Sequence, residues 1–342
     1  MYVIRARNVH QMLPKALAFM LEHGKGQESR NGPVLRLTEP AALVYERPTE
    51  RVIFHEDRDA NPFFHLFEAI WMLAGRNDVA FPAKFVRRMA SFSDDGITFN
   101  AAYGFRWRKH FGSDQVLKII DALKADKDCR RQVLAIWDGR HDLGLRSKDL
   151  PCNTQCTFQI VDGRLDMVVS NRSNDLVWGA TGANAVHFSF LQEFMAAAIG
   201  VPVGKYWQLS SNLHLYVAVH EKLMTTLADA DANAGPYEDL EGIEDAIPVI
   251  STPLEQYLAE LDMVLEYGTS VIGLKDRFLK RVVVPMMSAW SMYKQNDFPL
   301  AIAQCAEIRD PYWREACREW IERRRVARAR AEYAADSGVI YE

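Results

Sequence analysis

Glu68 stands where carboxylates are scarce, among Phe63, Phe64, Phe67, Ile70, Trp71 and Met72, and on a helical projection it falls beside Trp71 and Met72. Apolar walls disfavour a charge, which raises a carboxyl pKa and suits the group to moving protons near neutrality. The competing reading is a residue at the edge of the stripe that reaches water, because buried acids are uncommon. Cys152 lies in KDLPCN, after a proline and ahead of a strand-like run, where the backbone can present a thiol outside a regular ladder. A cysteine is reactive only in an electropositive setting and is otherwise an inert core residue. Arg130, Arg131 and Arg172 can supply that setting, or can hold a phosphate through forked donors. Arg172, Ser173 and Asp175 fall in NRSNDLVWGATGAN, where a cation, a hydroxyl and accessible backbone donors make a phosphate cradle or, more plainly, a polar loop capping the helix from Asn184. His214 and Tyr216 alternate in SSNLHLY, so on a strand they face the same side and can grip a sugar hydroxyl or serve as satisfied interior polar groups.

The elements that must position these residues are legible in the pattern. A short strand precedes a helix over Val9 to His23 that breaks at Gly24 and Gly26. Two β-rich runs, VLRL and RVIF, lie between Pro33 and Phe54. In NPFFHLFEAIWMLAG, Asn61 suits the N-cap, Pro62 the first helical turn and Gly75 the C-terminal stop. Asp114 to Leu123 reads as a helix and Gln132 to Trp137 as a short buried strand. Thr157 to Val161 and Arg164 to Ser170 form a hairpin around Asp162-Gly163, a pair that tolerates positive φ. A long apolar helix runs from Asn184 to Ile199 and ends at Gly200. After Tyr216 an acidic stretch, ADADANAGPYEDLEGIED, leads into helical segments, and the Arg-rich run near the C-terminus interleaves Glu with Arg as a solvated helix does.

A chain of 342 residues buries a sizeable core as one large α/β domain or two ordinary ones. With 25% charged residues and a formal net charge of -4, the whole-molecule field gives no reason to expect a nucleic acid or an anionic membrane. No signal-like segment and no apolar run of spanning length stands out, so a cytoplasmic location is the default expectation. Five cysteines cannot all pair, and their spacing lacks the two ligand pairs of a structural zinc site; reduced thiols and no metal are expected.

Taken in order, the pieces FEAIWMLAG, YGFRWR, DKDCRR, LPCN, FQIVDGRL, NRSND and HLY resemble the thymidylate synthase family, including its pyrimidine nucleotide hydroxymethylases, across roughly Arg30 to Tyr216. The resemblance implies an α/β (α+β) fold with a large mixed sheet packed with helices, residues 1–220 forming the catalytic core and residues 221–342 a mainly helical C-terminal region. It implies one-carbon transfer from methylene-tetrahydrofolate to carbon 5 of a pyrimidine nucleoside 5′-monophosphate. Cys152 would add to carbon 6 and make carbon 5 nucleophilic, splitting one hard step into easier ones. Glu68 would organise water and relay protons, with Tyr103 in the same catalytic set. Arg172, Ser173 and Arg30 would hold the phosphate, joined by Arg130 and Arg131 from the other subunit of a homodimer. Asn184 would read the base edge, His214 and Tyr216 the sugar, and Asp175 with Trp178 the folate.

Departures from the family pattern carry information. Asn153 stands where a His usually follows the nucleophile, and the loop from Asp175 to Asn184 is one residue longer. An Asn amide offers a donor and an acceptor and so matches uracil, whereas cytosine is often read by an acid. The stretch FVRRMASF, Phe85 to Phe92, lacks the tryptophan that shields the folate intermediate, and the C-terminal tail is unfamiliar. A less shielded intermediate is captured by water, which tips the expectation from methylation to hydroxymethylation. The rivals are an ordinary thymidylate synthase making dihydrofolate, and a nucleotide- or nucleic-acid-binding protein on the same scaffold that uses the Arg-rich helix.

Overall fold

The computed structural model describes residues 1–228, 230, 235–240 and 246–337, so parts of the acidic stretch and the last residues of the tail lie outside the described residues. The chain divides into two compact units: Met1–Arg58 with Phe64–Glu238, and Asp59–Phe63 with Asp239–Glu342.

The first unit is built on strands β1 (Tyr2–Ala6), β2 (Lys25–Ser29), β3 (Gly32–Arg36), β4 (Ala41–Tyr45), β5 (Val133–Ala135), β6 (Asn153–Val161), β7 (Arg164–Asn171), β8 (Asn174–Asp175), β9 (Val203–Ser210) and β10 (Leu213–Tyr216). They form a six-stranded mixed sheet, β1-β4-β9-β7-β6-β5, and a four-stranded sheet, β2-β3-β10-β8. Alternation works as expected in the large sheet: Leu165, Met167 and Val169 of β7 and Cys156 and Phe158 of β6 are buried. The helix Asn184–Ile199 packs on β7 and β9 and is buried almost all round, which its continuous apolar sequence requires. The β6–β7 turn sets Asp162 at φ 50° and Gly163 at φ 73°, both left-handed, as the hairpin reading demands.

Two strand readings need correction, and two further strands carried no signal in the sequence. RVIF is not a strand, because the backbone groups of Val52 are both taken by the Tyr237 hydroxyl, at 2.7 and 2.9 Å, and the Phe54 amide donates to His10 Nδ1 at 3.3 Å. Its place in the large sheet belongs to AALVY of β4, buried at all five positions and therefore without alternation to betray it. Gln132 to Trp137 contributes only Val133–Ala135, with Val133 exposed, and the polar, exposed β2 gave no strand signal.

In the second unit the helices Leu254–Tyr267, Val284–Lys294, Phe298–Cys305 and Pro311–Ser337 surround an aromatic group of Phe63, Trp290, Tyr293 and Trp320. Buried Asp276 caps Phe278 and Leu279 and accepts from Ser251. Arg318, Arg325 and Arg328 pair with Glu315, Glu322 and Glu332 one turn away, and Arg324 meets Asp59, so much of that helix's charge is neutralised locally. Among the described residues, no helix is long and apolar enough to cross a membrane.

Candidate active site

Cys152 sits immediately before β6, where the register of β6 on β7 shifts between Asn153 and Gln155. Such a bulge ends regular pairing and re-aims the side chains beside it. The loop before the cysteine is tied down by Arg172, whose Nε donates to the Pro151 carbonyl at 2.9 Å and Nη2 to the Leu150 carbonyl at 3.2 Å, while its amide donates to the Cys152 carbonyl at 2.9 Å. The Cys152 amide donates to the Tyr103 hydroxyl at 3.3 Å. Tyr103 in turn opens a short helical turn pressed against the helix Pro62–Leu73. A Cβ on Gly104 would lie 2.0 Å from the Met72 carbonyl oxygen, so only glycine permits that approach. Behind it, fully buried Arg106 grips Asp142 through two bonds of 2.6 and 2.8 Å and anchors the loop Asp142–Leu145 on the cleft wall.

A cleft of about 690 Å³ opens over Cys152. It brings together Arg30, Tyr103, Arg172, Ser173, Asp175, Trp178, Asn184, His214 and Tyr216 from the expected set. Arg30 occupies the two-residue turn joining β2 to β3, and its neighbour Asn31 donates to the Tyr216 hydroxyl at 3.3 Å. His214 and Tyr216 share one face of β10, and burial lowers the His214 pKa, favouring the neutral ring. Arg130 and Arg131 are exposed and do not line the cleft of their own chain. Of the three arginines expected to lower the thiol pKa, Arg172 does so, but burial outweighs it. Burial raises Cys152, opposed by Arg172 and then Arg30, while Asp149 adds to the rise.

A chain of amides fixes Asn184. Asn153 Nδ2 donates to Asn184 Oδ1 at 2.9 Å, Asn184 Nδ2 donates to Asn174 Oδ1 at 3.0 Å, and Asn174 Nδ2 donates to Gln208 Oε1 at 2.9 Å and Ser210 Oγ at 3.1 Å. Each outer bond dictates which end of the next amide is oxygen. Asn184 thus arrives oriented, with one N–H and one lone pair left. Gly179 makes room, since a Cβ there would meet Asn174 Oδ1 at 2.6 Å.

Glu68 lines a second cavity, of about 240 Å³, that shares Tyr103 and Asn184 with the cleft. Trp71, Met72, Met89, Phe92 and Phe99 make its apolar walls, and Asp149 and His187 join Glu68 as its titratable groups. Burial, then the charge of Asp149, pushes Glu68 up to about 8. Burial lowers His187 to about 3, and its ring bonds the His65 backbone. The 3.2 Å approach of His187 Nε2 to Glu68 Oε2 sets a neutral imidazole against the acid and becomes a hydrogen bond when Glu68 carries its proton. The segment Phe85 to Phe92 gives this cavity Met89 and Phe92, with no indole.

Two functional candidates escaped the sequence reading. Asp149 stands three residues before Cys152 in KDLPCN, and an acid beside a nucleophile was the available signal. His187 follows Asn184 by three residues on an apolar helix, hence on the same face.

Residues 16–246 match the family model described as Thymidylate synthase. The chain is 52% identical over 355 aligned positions, covering 100% of both chains, to a protein named deoxyuridylate hydroxymethyltransferase from Pseudomonas phage M6. A protein of the same name from Bacillus phage SP01 is 34% identical over 76% of this chain and 73% of its own, and one from Delftia phage PhiW-14 is 31% identical over 60% and 59%.

Proposed function

The chain belongs to the thymidylate synthase family, and from that premise we propose that it transfers a hydroxymethyl group to carbon 5 of deoxyuridylate, using Cys152 as the covalent nucleophile. The observation that carries this reading is the pairing of two cavities through Tyr103 and Asn184: one holds a thiol and cations, the other an acid that titrates near neutrality.

Arg30, Arg172 and Ser173 hold the 5′-phosphate, and His214 with Tyr216 grips the sugar. The remaining N–H and lone pair of Asn184 complement the carbonyl and N–H edge of uracil. Cys152 adds through sulfur to carbon 6, which places negative charge on the carbonyl at carbon 4 and makes carbon 5 nucleophilic. Tyr103, whose hydroxyl burial keeps protonated, and protonated Glu68 are the donors that stabilise this charge.

Methylene-tetrahydrofolate supplies the one-carbon unit when bound. Asp175 and Trp178 suit such a molecule: among the described residues Asp175 Oδ2 is buried without a hydrogen-bond partner, and burial raises its pKa to about 6, so a ring bearing N–H groups would satisfy it. Trp178, 42% exposed, offers an aromatic face beside it. The assembly is a homodimer in which Arg130 and Arg131 of the partner subunit complete the phosphate site, the role their exposure in this chain leaves open. Capture of the transferred carbon by water, in place of hydride, is favoured where the segment Phe85 to Phe92 gives the Glu68 cavity Met89 and Phe92 and no shielding indole.

The test is product analysis with the deoxy- and ribonucleoside monophosphates of uracil and cytosine plus methylene-tetrahydrofolate. Deoxyuridylate should gain the elements of formaldehyde and release tetrahydrofolate. A methylated base with dihydrofolate would overturn the hydroxymethyl assignment and leave an ordinary thymidylate synthase.

A further inference from the structure

Asp149 is the second acid of the Glu68 cavity, and its surroundings hold it rigidly. Its Oδ2 accepts from the Ala101 amide at 2.8 Å, and its backbone carbonyl accepts from Asn100 Nδ2 at 2.9 Å and Ser147 Oγ at 3.2 Å. Ser147 Oγ also bonds Asp94, whose Oδ1 accepts from the Lys148 amide at 3.1 Å. The residue is thus clamped from both sides, three positions before the nucleophile, on a wall common to Tyr103 and Asn184. The Ala101 and Asn100 backbone amides both face the Asp149 carboxyl, and Oδ2 takes the Ala101 amide at 2.8 Å.

We propose that Asp149 is the base that takes the proton from the water attacking the transferred carbon, so that the two acids of this cavity divide the proton traffic between them. The inference rests on the hydroxymethyl reading above. Glu68, facing neutral His187 at 3.2 Å, retains its own proton near neutrality and cannot accept another. Burial raises Asp149 as well, yet two acids in one cavity do not both ionise with ease; the charge of Asp149 is one cause of the Glu68 rise, which leaves Asp149 as the ionised partner able to act as base.

The step balances without a redox partner. Once carbon 5 has lost its proton and the one-carbon unit has parted from its donor, the base carries a methylene doubly bonded to carbon 5, with sulfur still on carbon 6. The water oxygen bonds to the methylene carbon, and its proton passes to Asp149. The displaced π pair moves onto the ring carbonyl, then returns to form the 5,6 double bond as the carbon–sulfur bond breaks. Cys152 leaves as the thiolate, and Asp149 releases its proton to solvent.

The experiment uses the full chain with Asp149→Asn and Asp149→Ala. Two rates are read beside wild type: solvent exchange of the carbon 5 hydrogen of deoxyuridylate without folate, and hydroxymethyl product with methylene-tetrahydrofolate. Asp149→Asn should slow product by about 100-fold, the usual scale for losing a general base, and far more than it changes exchange, which feels Asp149 only through its charge beside Cys152 and Glu68. Added 2-mercaptoethanol should then intercept the methylene as a thioether seen by mass, and added formate should restore product in Asp149→Ala without changing exchange. Parallel loss of exchange and product, with no rescue by formate, would overturn the role and leave Asp149 a structural residue. Wild type that makes only methylated base would instead remove the hydroxymethyl reading itself.

Discussion

The Cys152 cleft and the Glu68 cavity are subject to the same force and respond oppositely. Burial raises the pKa of a thiol and of a carboxyl alike, because both are neutral as acids. From about 9 the rise carries Cys152 away from working pH, and from 4.5 it carries Glu68 toward it. The thiol therefore requires cations, and Arg172 and Arg30 stand on its side. The carboxyl requires apolar walls, which Trp71, Met72, Met89, Phe92 and Phe99 supply, and the charge of Asp149 adds to its rise. A nucleophile and an acid can thus share one site if the cations are confined to one side of Tyr103 and Asn184.

The hardest blow to that contrast is Cys152→Ser. Carbon 5 exchange and product should both fall by more than about 10³-fold, since neither proceeds without sulfur addition. Calorimetry should still detect nucleotide binding, because the phosphate contacts do not involve sulfur. Exchange that persists would mean the cleft does not work through this thiol.

Glu68→Gln tests the other side. Product should drop by about 10² to 10³-fold. Stability supplies a second reading with a definite sign. A carboxyl whose folded pKa, about 8, exceeds its ordinary 4.5 contributes stability that is complete below pH 4.5 and is lost as pH rises through 8. Glutamine does not titrate, so wild type should weaken relative to the variant by up to ~1.4 kcal/mol per pH unit across that window. Melting curves that run parallel from pH 6 to 9 would contradict the buried acid.

Asn184→Asp probes the shared wall. A carboxylate there would set an oxygen against Asn174 Oδ1, which Gln208 and Ser210 hold in place. Deoxyuridylate turnover should fall roughly 10- to 100-fold, as when a buried polar match is lost. Undiminished selectivity among the four monophosphates would exclude this amide as the reader. The smallest effect concerns the rim: mixing Arg131→Ala with Cys152→Ser should restore about a quarter of wild-type activity, since half of randomly formed dimers regain one complete site. No recovery in any mixture would argue against arginines shared between subunits.

Much of the scaffold could be read from local chemistry. Asn8 and Asp114 cap their helices, Gly200 ends another in the left-handed region, and Asp162-Gly163 turns the hairpin, each for a reason contained within a few residues. The anomalous Glu68 was visible because its neighbours on the helix are also its neighbours in space. What escaped depended on distant partners. AALVY became a central strand by pairing with β1 and β9, whereas RVIF lost its strand character to the hydroxyl of Tyr237, 185 residues away. Asp149 entered the Glu68 cavity because the Ala101 amide draws it there, and no spacing in KDLPCN announces that bond.

Gly104 sets a distance that no side chain in either cavity controls. Because its missing methyl group lets the Tyr103 turn rest directly on the backbone of the Glu68 helix, the hydroxyl that meets the Cys152 amide and the acid that handles protons share one rigid ruler. Even alanine at this position would act as a wedge, lengthening the gap between attack on the ring and proton delivery while leaving every reactive group chemically intact.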